Sequence, residues 1–191
     1  MKYPITVYGD PILRKRAEDI EKDTEGLNEI LENMWETMYY ADGVGLAAPQ
    51  AGLPIRLFVI DASSGADEEP ELKDFRKVFI NPEIIELTGE KWVMNEGCLS
   101  LPEIREDVTR PDTVRIKYLD ENFVEHDEVF SGFVSRVIQH EYDHLEGKLF
   151  VDYLSSLKQE LIRRRMKKLK AEQNADKAEE LRTSASHKSA L

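Results

Sequence analysis

The chain has 191 residues, of which 41% are hydrophobic and 34% charged, and its formal net charge is −12. This length suits one domain, no apolar run is long enough for a membrane helix, and the acidity argues against general binding to DNA. The single cysteine, Cys98, excludes an internal disulfide, and no apolar leader follows Met1, so we expect a cytoplasmic protein.

The N-terminal part of the chain contains one predicted helix. Apolar side chains recur at steps of three and four residues over 27–38, which is typical of a helix with one buried face. Asp23 or Thr24 would begin this helix as its N-cap, and Gly43 and Gly45 would end it.

The middle of the chain contains predicted strands. The apolar runs 57–60 and 78–80 predict two buried strands, and the second would end at 81–82, an Asn-Pro pair. The acidic, small-residue segment 63–73 between them predicts a loop. Alternating apolar and polar residues on either side of a turn predict a β-hairpin over 114–130.

Two further helices are predicted towards the C-terminus. Helical spacing returns over 133–144, and residues 155–191 then carry ten Lys/Arg against five Asp/Glu. We expect a catalytic domain over 1–153, a basic helix over 154–182 that packs on it or projects from it, and a disordered tail over 183–191. Strands followed by helices, without strict alternation, favour an α+β fold.

The motif His140-Glu141-Tyr142-Asp143-His144 carries the strongest chemical signal. On a helix, His140 and His144 project from one face and can bind one metal ion, while Glu141 can accept a proton from a nearby water. Asp143 could orient one of the imidazoles or face solvent. A chance match to the HExxH pattern is the alternative, and the motif alone does not decide.

A third metal ligand is needed, and Cys98 is the candidate. Glu160 and His187 lie downstream of the motif but have no recognisable context. One thiolate with two imidazoles suits Zn, Fe(II), Co or Ni rather than Mg or Ca. The alternative is that Cys98 is a small buried apolar residue.

The segment 43–50, Gly-Val-Gly-Leu-Ala-Ala-Pro-Gln, is rich in small residues that allow a substrate backbone to approach closely. The side-chain amide of Gln50 could donate to a developing oxyanion. A loop that only caps the first helix is the alternative.

Together these segments resemble the peptide deformylase family, from about Pro4 to Asp152. The motifs that carry the resemblance are Gly43–Gln50, Glu96–Ser100, Gln139–His144 and the opening Tyr8–Arg14. The resemblance implies antiparallel strands packed around a central helix that carries the HExxH motif, with a C-terminal helix. It also implies a metal-dependent hydrolase of protein biosynthesis that removes the formyl group from N-formyl-methionyl nascent peptides and releases formate.

The resemblance also implies roles for individual residues. The metal would be held by Cys98, His140 and His144, and would be Fe(II) in cells, with Zn, Ni or Co possible in a preparation. Glu141 would take the proton of the attacking water and pass it to the leaving amine. The backbone N–H of Leu99 would stabilise the oxyanion together with Gln50.

Substrate binding is assigned to five residues. Val137 and Phe133, about one and two turns before the first metal-ligating histidine, could line a pocket for the methionine side chain or belong to the ordinary core. Val44 and Gly45 could pair with the peptide as an added strand. Arg105 resembles a family arginine near the substrate, and a surface salt bridge is its alternative.

The basic helix suggests a macromolecular partner. Its Lys/Arg cluster over 163–168 could neutralise phosphates of ribosomal RNA, as in deformylases that dock on the ribosome, or could simply be solvated. Two rival functions remain: an HExxH protease that cuts internal peptide bonds, and a non-enzymatic protein with a structural metal or a ribosome-binding role.

Overall fold

The structure is a computed structural model that describes residues 1–188, with the side chains of residues 1–177. Residues 1–153 form one compact unit, and the residues that follow form a second. In chain order the main elements are α1 (Leu27–Tyr40), β1 (Gly45–Ala47), β2 (Leu57–Asp61), β3 (Arg76–Cys98), β4 (Leu101–Leu119), β5 (Glu125–Ser131), α2 (Gly132–Leu145) and α3 (Ser156–Lys188).

The five strands form one antiparallel sheet in the order β1-β2-β3-β4-β5, so that each strand pairs with its neighbour in the chain. The helix α2, which carries the HExxH motif, packs against β1, β2, β4 and β5. This arrangement confirms the predicted α+β class, with antiparallel strands around a central helix and a helix at the C-terminus.

The strand β2 is apolar from Leu57 to Ile60 because both of its faces are covered there. Phe58 and Ile60 belong to the core cluster that includes α2, whereas Leu57 and Val59 belong to the cluster that includes α1. Successive side chains of a strand point to opposite faces, so a strand between two packed layers has no polar alternation. The predicted buried strand is therefore confirmed, and it links the two core clusters.

The first helix begins later than the sequence predicted. Its first residue is Leu27, and the N-cap position is occupied by Gly26 in the left-handed conformation, with φ of 75°. Asp23 and Thr24 lie in turns before the helix, so the prediction that one of them is the N-cap was wrong. The glycine reverses the chain into the helix, which a Cβ would oppose at this φ.

The predicted end of the second strand at the Asn-Pro pair was also wrong. The strand β3 continues to Cys98, with a break in register between Ile80 and Glu83. Asn81 adopts a φ of 47°, and its side chain binds the backbone N–H and C=O of Ile20, each at 2.9 Å. A bulge of this kind tolerates Pro82, which cannot donate to the ladder.

Short helical turns occupy the acidic segment that was predicted as a loop. These are 3₁₀ turns at Ser63–Gly65 and Pro70–Asp74. The predicted hairpin is confirmed by the pairing of β4 with β5, and the predicted helix over 133–144 is confirmed as α2.

The helix α3 includes residues 183–188 of the segment predicted to be disordered, and residues 189–191 lie outside the described part of the chain. The division into a catalytic domain, a basic helix and a tail stays a prediction. Within residues 1–188, no helix has both the length and the apolar character needed to cross a bilayer.

Candidate active site

The structure brings the three predicted metal ligands together. Cys98 is the last residue of β3, at the tight turn into β4, and the two histidines lie one turn apart on the facing side of α2. The Cys98 Sγ lies 3.4 Å from the Nε2 of His144, and the ligand atoms of Cys98, His140 and His144 all lie within 4.8 Å of one another. The group could therefore hold one metal ion.

The chemistry of these donors fits a catalytic divalent metal. The Nδ1 of His140 binds Glu96 at 2.8 Å, which leaves its Nε2 for a metal. The donor set of one sulfur and two imidazole nitrogens suits Zn, Fe(II), Co or Ni. Among residues 1–177 this is the one cluster of its kind, and it has three members rather than four. Three protein ligands leave a position for water, as catalytic sites require.

Glu141 is buried beside this cluster, with 4% of its surface exposed. Its Oε2 has no hydrogen-bond partner among the described residues. A Cβ on Gly45 would lie 2.6 Å from its Oε1, so the absence of a side chain at position 45 makes room for this carboxylate. Burial raises the pKa of Glu141 to about 7, and a carboxyl group with this pKa can both accept and donate a proton near neutrality.

The side chain of Gln50 is fixed at the turn that carries Cys98. Its Oε1 accepts from the backbone N–H of Ala47 at 2.9 Å, and its Nε2 donates to Ser100 Oγ at 3.2 Å and contacts Cys98 Sγ at 3.4 Å. The bond to Ala47 determines which end of the amide faces the thiol. The amide nitrogen of Gln50 therefore lies between Ser100 and Cys98, with a hydrogen directed at the thiol of the metal cluster.

The N-terminal segment holds the two loops of the site together. The backbone N–H of Thr6 donates to the carbonyl of Gln50 at 2.7 Å, and that of Tyr8 donates to the carbonyl of Ser100 at 2.8 Å. The opening residues of the chain thus connect the small-residue segment to the Cys98 turn.

A cavity of about 470 Å³ opens beside the cluster, within the usual range of small-ligand sites. It contains most of the residues that the sequence singled out: Val44, Gly45, Gln50, Cys98, Leu99, Arg105, Phe133, Val137, His140 and Glu141. His144 lies behind this surface, 1% exposed. The residues predicted to bind the substrate therefore line the same cavity as most of the predicted catalytic and metal-binding residues.

Arg105 lines the cavity and is held in place by Asn95. Its Nε donates to Asn95 Oδ1 at 2.9 Å, and its Nη2 donates to the Asn95 carbonyl at 3.0 Å. A Cβ on Gly97 would lie 2.5 Å from Nη1, so the guanidinium packs directly on that glycine.

A buried charge network that was not predicted from the sequence lies behind His140. Glu96 accepts from His140 and from two arginines, Arg110 and Arg136, and the carboxylate and both arginines are nearly inaccessible to solvent. Burial opposes ionisation of Glu96, but its hydrogen bonds from His140 and Arg110 prevail and lower its pKa to about 2. Glu96 was visible in the quoted motif, next to Gly97-Cys98, whereas no local pattern marked the arginines.

Asp143, one residue before the second histidine, does not orient an imidazole. It accepts from Arg110 Nη1 at 2.8 Å and from the hydroxyl of Tyr153 at 2.9 Å. The interpretation of Asp143 as a histidine-orienting group is therefore wrong. The carboxylate that hydrogen-bonds His140 is that of Glu96.

The environments of the two histidines differ. Burial opposes protonation of His140, but Cys98 and Glu96 outweigh it and raise the pKa of that imidazole well above its ordinary value. Burial lowers the pKa of His144 well below its ordinary value, and the charge of His140 adds to this effect.

The sequence matches those of a known family and its members. The sequence model described as polypeptide deformylase matches residues 2–160. The peptide deformylase of Christiangramia forsetii is 57% identical over 173 residues, covering 87% of this chain and 88% of that protein. That of Flavobacterium johnsoniae is 54% identical over 176 residues, covering 88% and 90%.

Solved structures show the same likeness. The crystal structure of a peptide deformylase from Legionella pneumophila aligns with a TM-score of 0.81 at 39% identity, covering 91% of this chain and 98% of that one. The peptide deformylase of Thermotoga maritima aligns with a TM-score of 0.73 at 43% identity, covering 81% and 99%.

Proposed function

The chain belongs to the polypeptide deformylase family, and on that premise we propose that Cys98, His140 and His144 hold its metal while Glu141 transfers the proton. The chain is a hydrolase that removes the N-terminal formyl group from nascent peptides. The observation that supports these residue roles is the position of one buried, partly unpartnered carboxylate directly beside three converging metal-ligand atoms.

The reaction is hydrolysis of the formyl C–N bond. Cys98, His140 and His144 would hold a divalent metal, which when bound would supply the Lewis acid that lowers the pKa of water and polarises the formyl carbonyl. Glu141 accepts a proton from the attacking water and later delivers it to the leaving nitrogen. The water oxygen ends in formate, and the peptide leaves with a free amino group on methionine.

The oxyanion that develops on the formyl carbonyl needs hydrogen-bond donors. We assign this role to an amide hydrogen of Gln50 and the backbone N–H of Leu99. Both residues line the cavity, and the amide of Gln50 already faces the Cys98 thiol. One well-placed donor of this kind is typically worth about 3 kcal/mol of transition-state stabilisation.

The peptide is proposed to bind along β1. This strand lies at the edge of the sheet, so the backbone of Gly45, with that of Val44 immediately before the strand, can pair with an extended substrate. Phe133 and Val137 supply apolar cavity surface for the methionine side chain. Arg105, held by Asn95, is positioned to donate to a carbonyl of the bound peptide.

The metal in cells is proposed to be Fe(II), with Zn, Ni or Co as functional replacements. Chelator-treated protein should lose formate release from formyl-Met-Ala-Ser and regain it when Fe(II), Ni(II) or Co(II) is added without oxygen. Mg(II), which prefers oxygen ligands, should not restore it. Full activity in metal-free protein, or restoration by Mg(II), would contradict the proposed site.

We further propose that the protein works in the cytoplasm and contacts the ribosome through α3. The substrate exists only while nascent chains carry formyl-methionine, which favours an enzyme near the site of synthesis. The exposed cations of α3 include Arg163 and Arg164, 65% and 75% exposed, which can approach RNA phosphates.

The triple variant Arg163→Gln, Arg164→Gln and Lys167→Gln should therefore weaken co-sedimentation with ribosomes. About three phosphate contacts would be lost, so the salt dependence of binding should become shallower. The control replaces the exposed Lys15, Lys22 and Lys73 with glutamine, an equal change of net charge on the other unit. Equal co-sedimentation of both variants and the parent protein would overturn this proposal.

A further inference from the structure

Arg136 is a buried arginine on α2 that binds both long strands of the sheet. Its side chain is 2% exposed. Nη2 donates to the carbonyl of Trp92 on β3 at 2.8 Å, and Nη1 donates to the carbonyl of Val108 on β4 at 3.0 Å. Nη1 also donates to Glu96 Oε2 at 3.0 Å. One side chain therefore joins the helix, both strands and the carboxylate.

The carboxylate of Glu96 connects this arginine to the proposed metal site. Its Oε1 accepts from His140 Nδ1 at 2.8 Å, while its Oε2 accepts from Arg136. A hydrogen bond at Nδ1 fixes the tautomer and the rotation of an imidazole whose other nitrogen binds a metal. The orientation of His140 therefore depends on where Glu96 is held.

Two arginines bind Glu96, one from a strand and the other from the helix α2. Arg110 reaches it from β4, at 2.8 and 3.1 Å, and also binds Asp143. Arg136 lies four residues before His140 on the same face of α2. Arg136 and His140 thus bind opposite oxygens of one carboxylate from one helix, which fixes the carboxylate relative to the imidazole itself.

We propose that Arg136 is a positioning residue for the metal site, which acts through Glu96 to hold the imidazole of His140 in its metal-binding orientation. The inference rests on the proposed metal site and deepens it. Arg136 contributes no ligand atom and needs no contact with the substrate. A protein that retains Arg136 should therefore lose its metal more slowly than a variant that lacks this side chain.

The test is a double-mutant cycle on metal release. Zn(II)- and Co(II)-loaded proteins are mixed with excess chelator, and release is followed in the parent, Arg136→Met, Glu96→Gln and the double variant. Losing a hydrogen-bond partner of a metal ligand typically costs about 10- to 100-fold in metal affinity, so this range applies to Glu96→Gln, and Arg136→Met, which acts through Glu96, should speed release by about the lower value, 10-fold. In the Glu96→Gln background the same change should add little, because the connecting carboxylate is already altered. The d–d absorption of the Co(II) protein should also shift in Arg136→Met.

The control for general destabilisation is Leu31→Ala, which truncates the core cluster around α1. It should lower the melting temperature without changing metal release. Arg136→Lys retains a cation with fewer donors, and this variant should release metal at an intermediate rate. If Arg136→Met does not fold, Arg136→Lys and Arg136→Gln take its place in the experiment.

Each outcome of the cycle decides the proposal. Parent-like release from Arg136→Met, or an equal acceleration in both backgrounds, would overturn it, because Arg136 would then act independently of Glu96. A parent protein that retains no metal after loading would instead contradict the proposed metal site, so the two failures are distinguishable.

Discussion

Replacing Glu141 with glutamine is expected to lower kcat/KM for formyl-peptide hydrolysis by about 100- to 10,000-fold while the metal stays bound. This range corresponds to about 3 to 5 kcal/mol of lost transition-state stabilisation. The amide retains the shape of the side chain but cannot accept the proton of the attacking water. Steady-state formate release and metal content measured on the same preparation check both parts of the prediction.

Stability separates this catalytic effect from a structural one. Glu141 is 4% exposed, and one of its carboxylate oxygens has no partner among the described residues. A neutral amide at this position avoids the cost of burying an ion, so the free energy of unfolding should not fall. Glu32→Gln on the exposed side of α1 is the matched control and should keep parental activity. Parental activity in Glu141→Gln, or activity lost only together with the metal, would contradict the assigned role.

Replacing Cys98 with alanine is expected to abolish stable metal binding and formate release. The thiolate is one of three proposed ligands, and among residues 1–177 no fourth His, Cys, Asp or Glu ligand atom joins the group to take its place. The loss should exceed the roughly 10- to 100-fold that removal of a ligand's hydrogen-bond partner costs. Metal content after gel filtration is the measurement.

The same variant tests the rival protease interpretation. An HExxH protease takes its third ligand downstream of the motif, so Cys98→Ala would then keep its metal. Cys98→Ser provides a graded control, because a hydroxyl is a poorer ligand for these metals than a thiolate and should bind the metal weakly. Stoichiometric metal in the alanine variant would contradict the assigned ligand set.

The local pattern of apolar and polar residues was sufficient to predict an element where burial of its apolar side chains determines the structure. The run 57–60 reads as a strand because two core layers cover it, and α2 reads as a helix because its apolar side faces the sheet. The strand and the helix depend on residues close together in the sequence. The gathering of the motifs, apart from His144, around one cavity was instead expected from the family resemblance, because the turn that carries Cys98 and the motif helix meet only in the folded chain.

Features that depend on distant residues were not predictable in this way. The strand β3 continues through Asn81-Pro82, where the Asn81 side chain forms hydrogen bonds with the backbone N–H and C=O of Ile20. The network around Glu96 joins β3, β4 and α2, and Arg110 and Arg136 stand at positions with no periodic signal. A buried ion pair requires partners that only the folded chain brings together.

The proposed site should cut the formyl C–N bond of its substrate and no other bond. The most direct measurement is product analysis by mass spectrometry after the Fe(II) protein, prepared without oxygen, is incubated with formyl-Met-Ala-Ser. We expect one formate for each free α-amino group formed, with the Met-Ala bond intact. Cleavage between Met and Ala, or no formate from a metal-loaded protein, would contradict it.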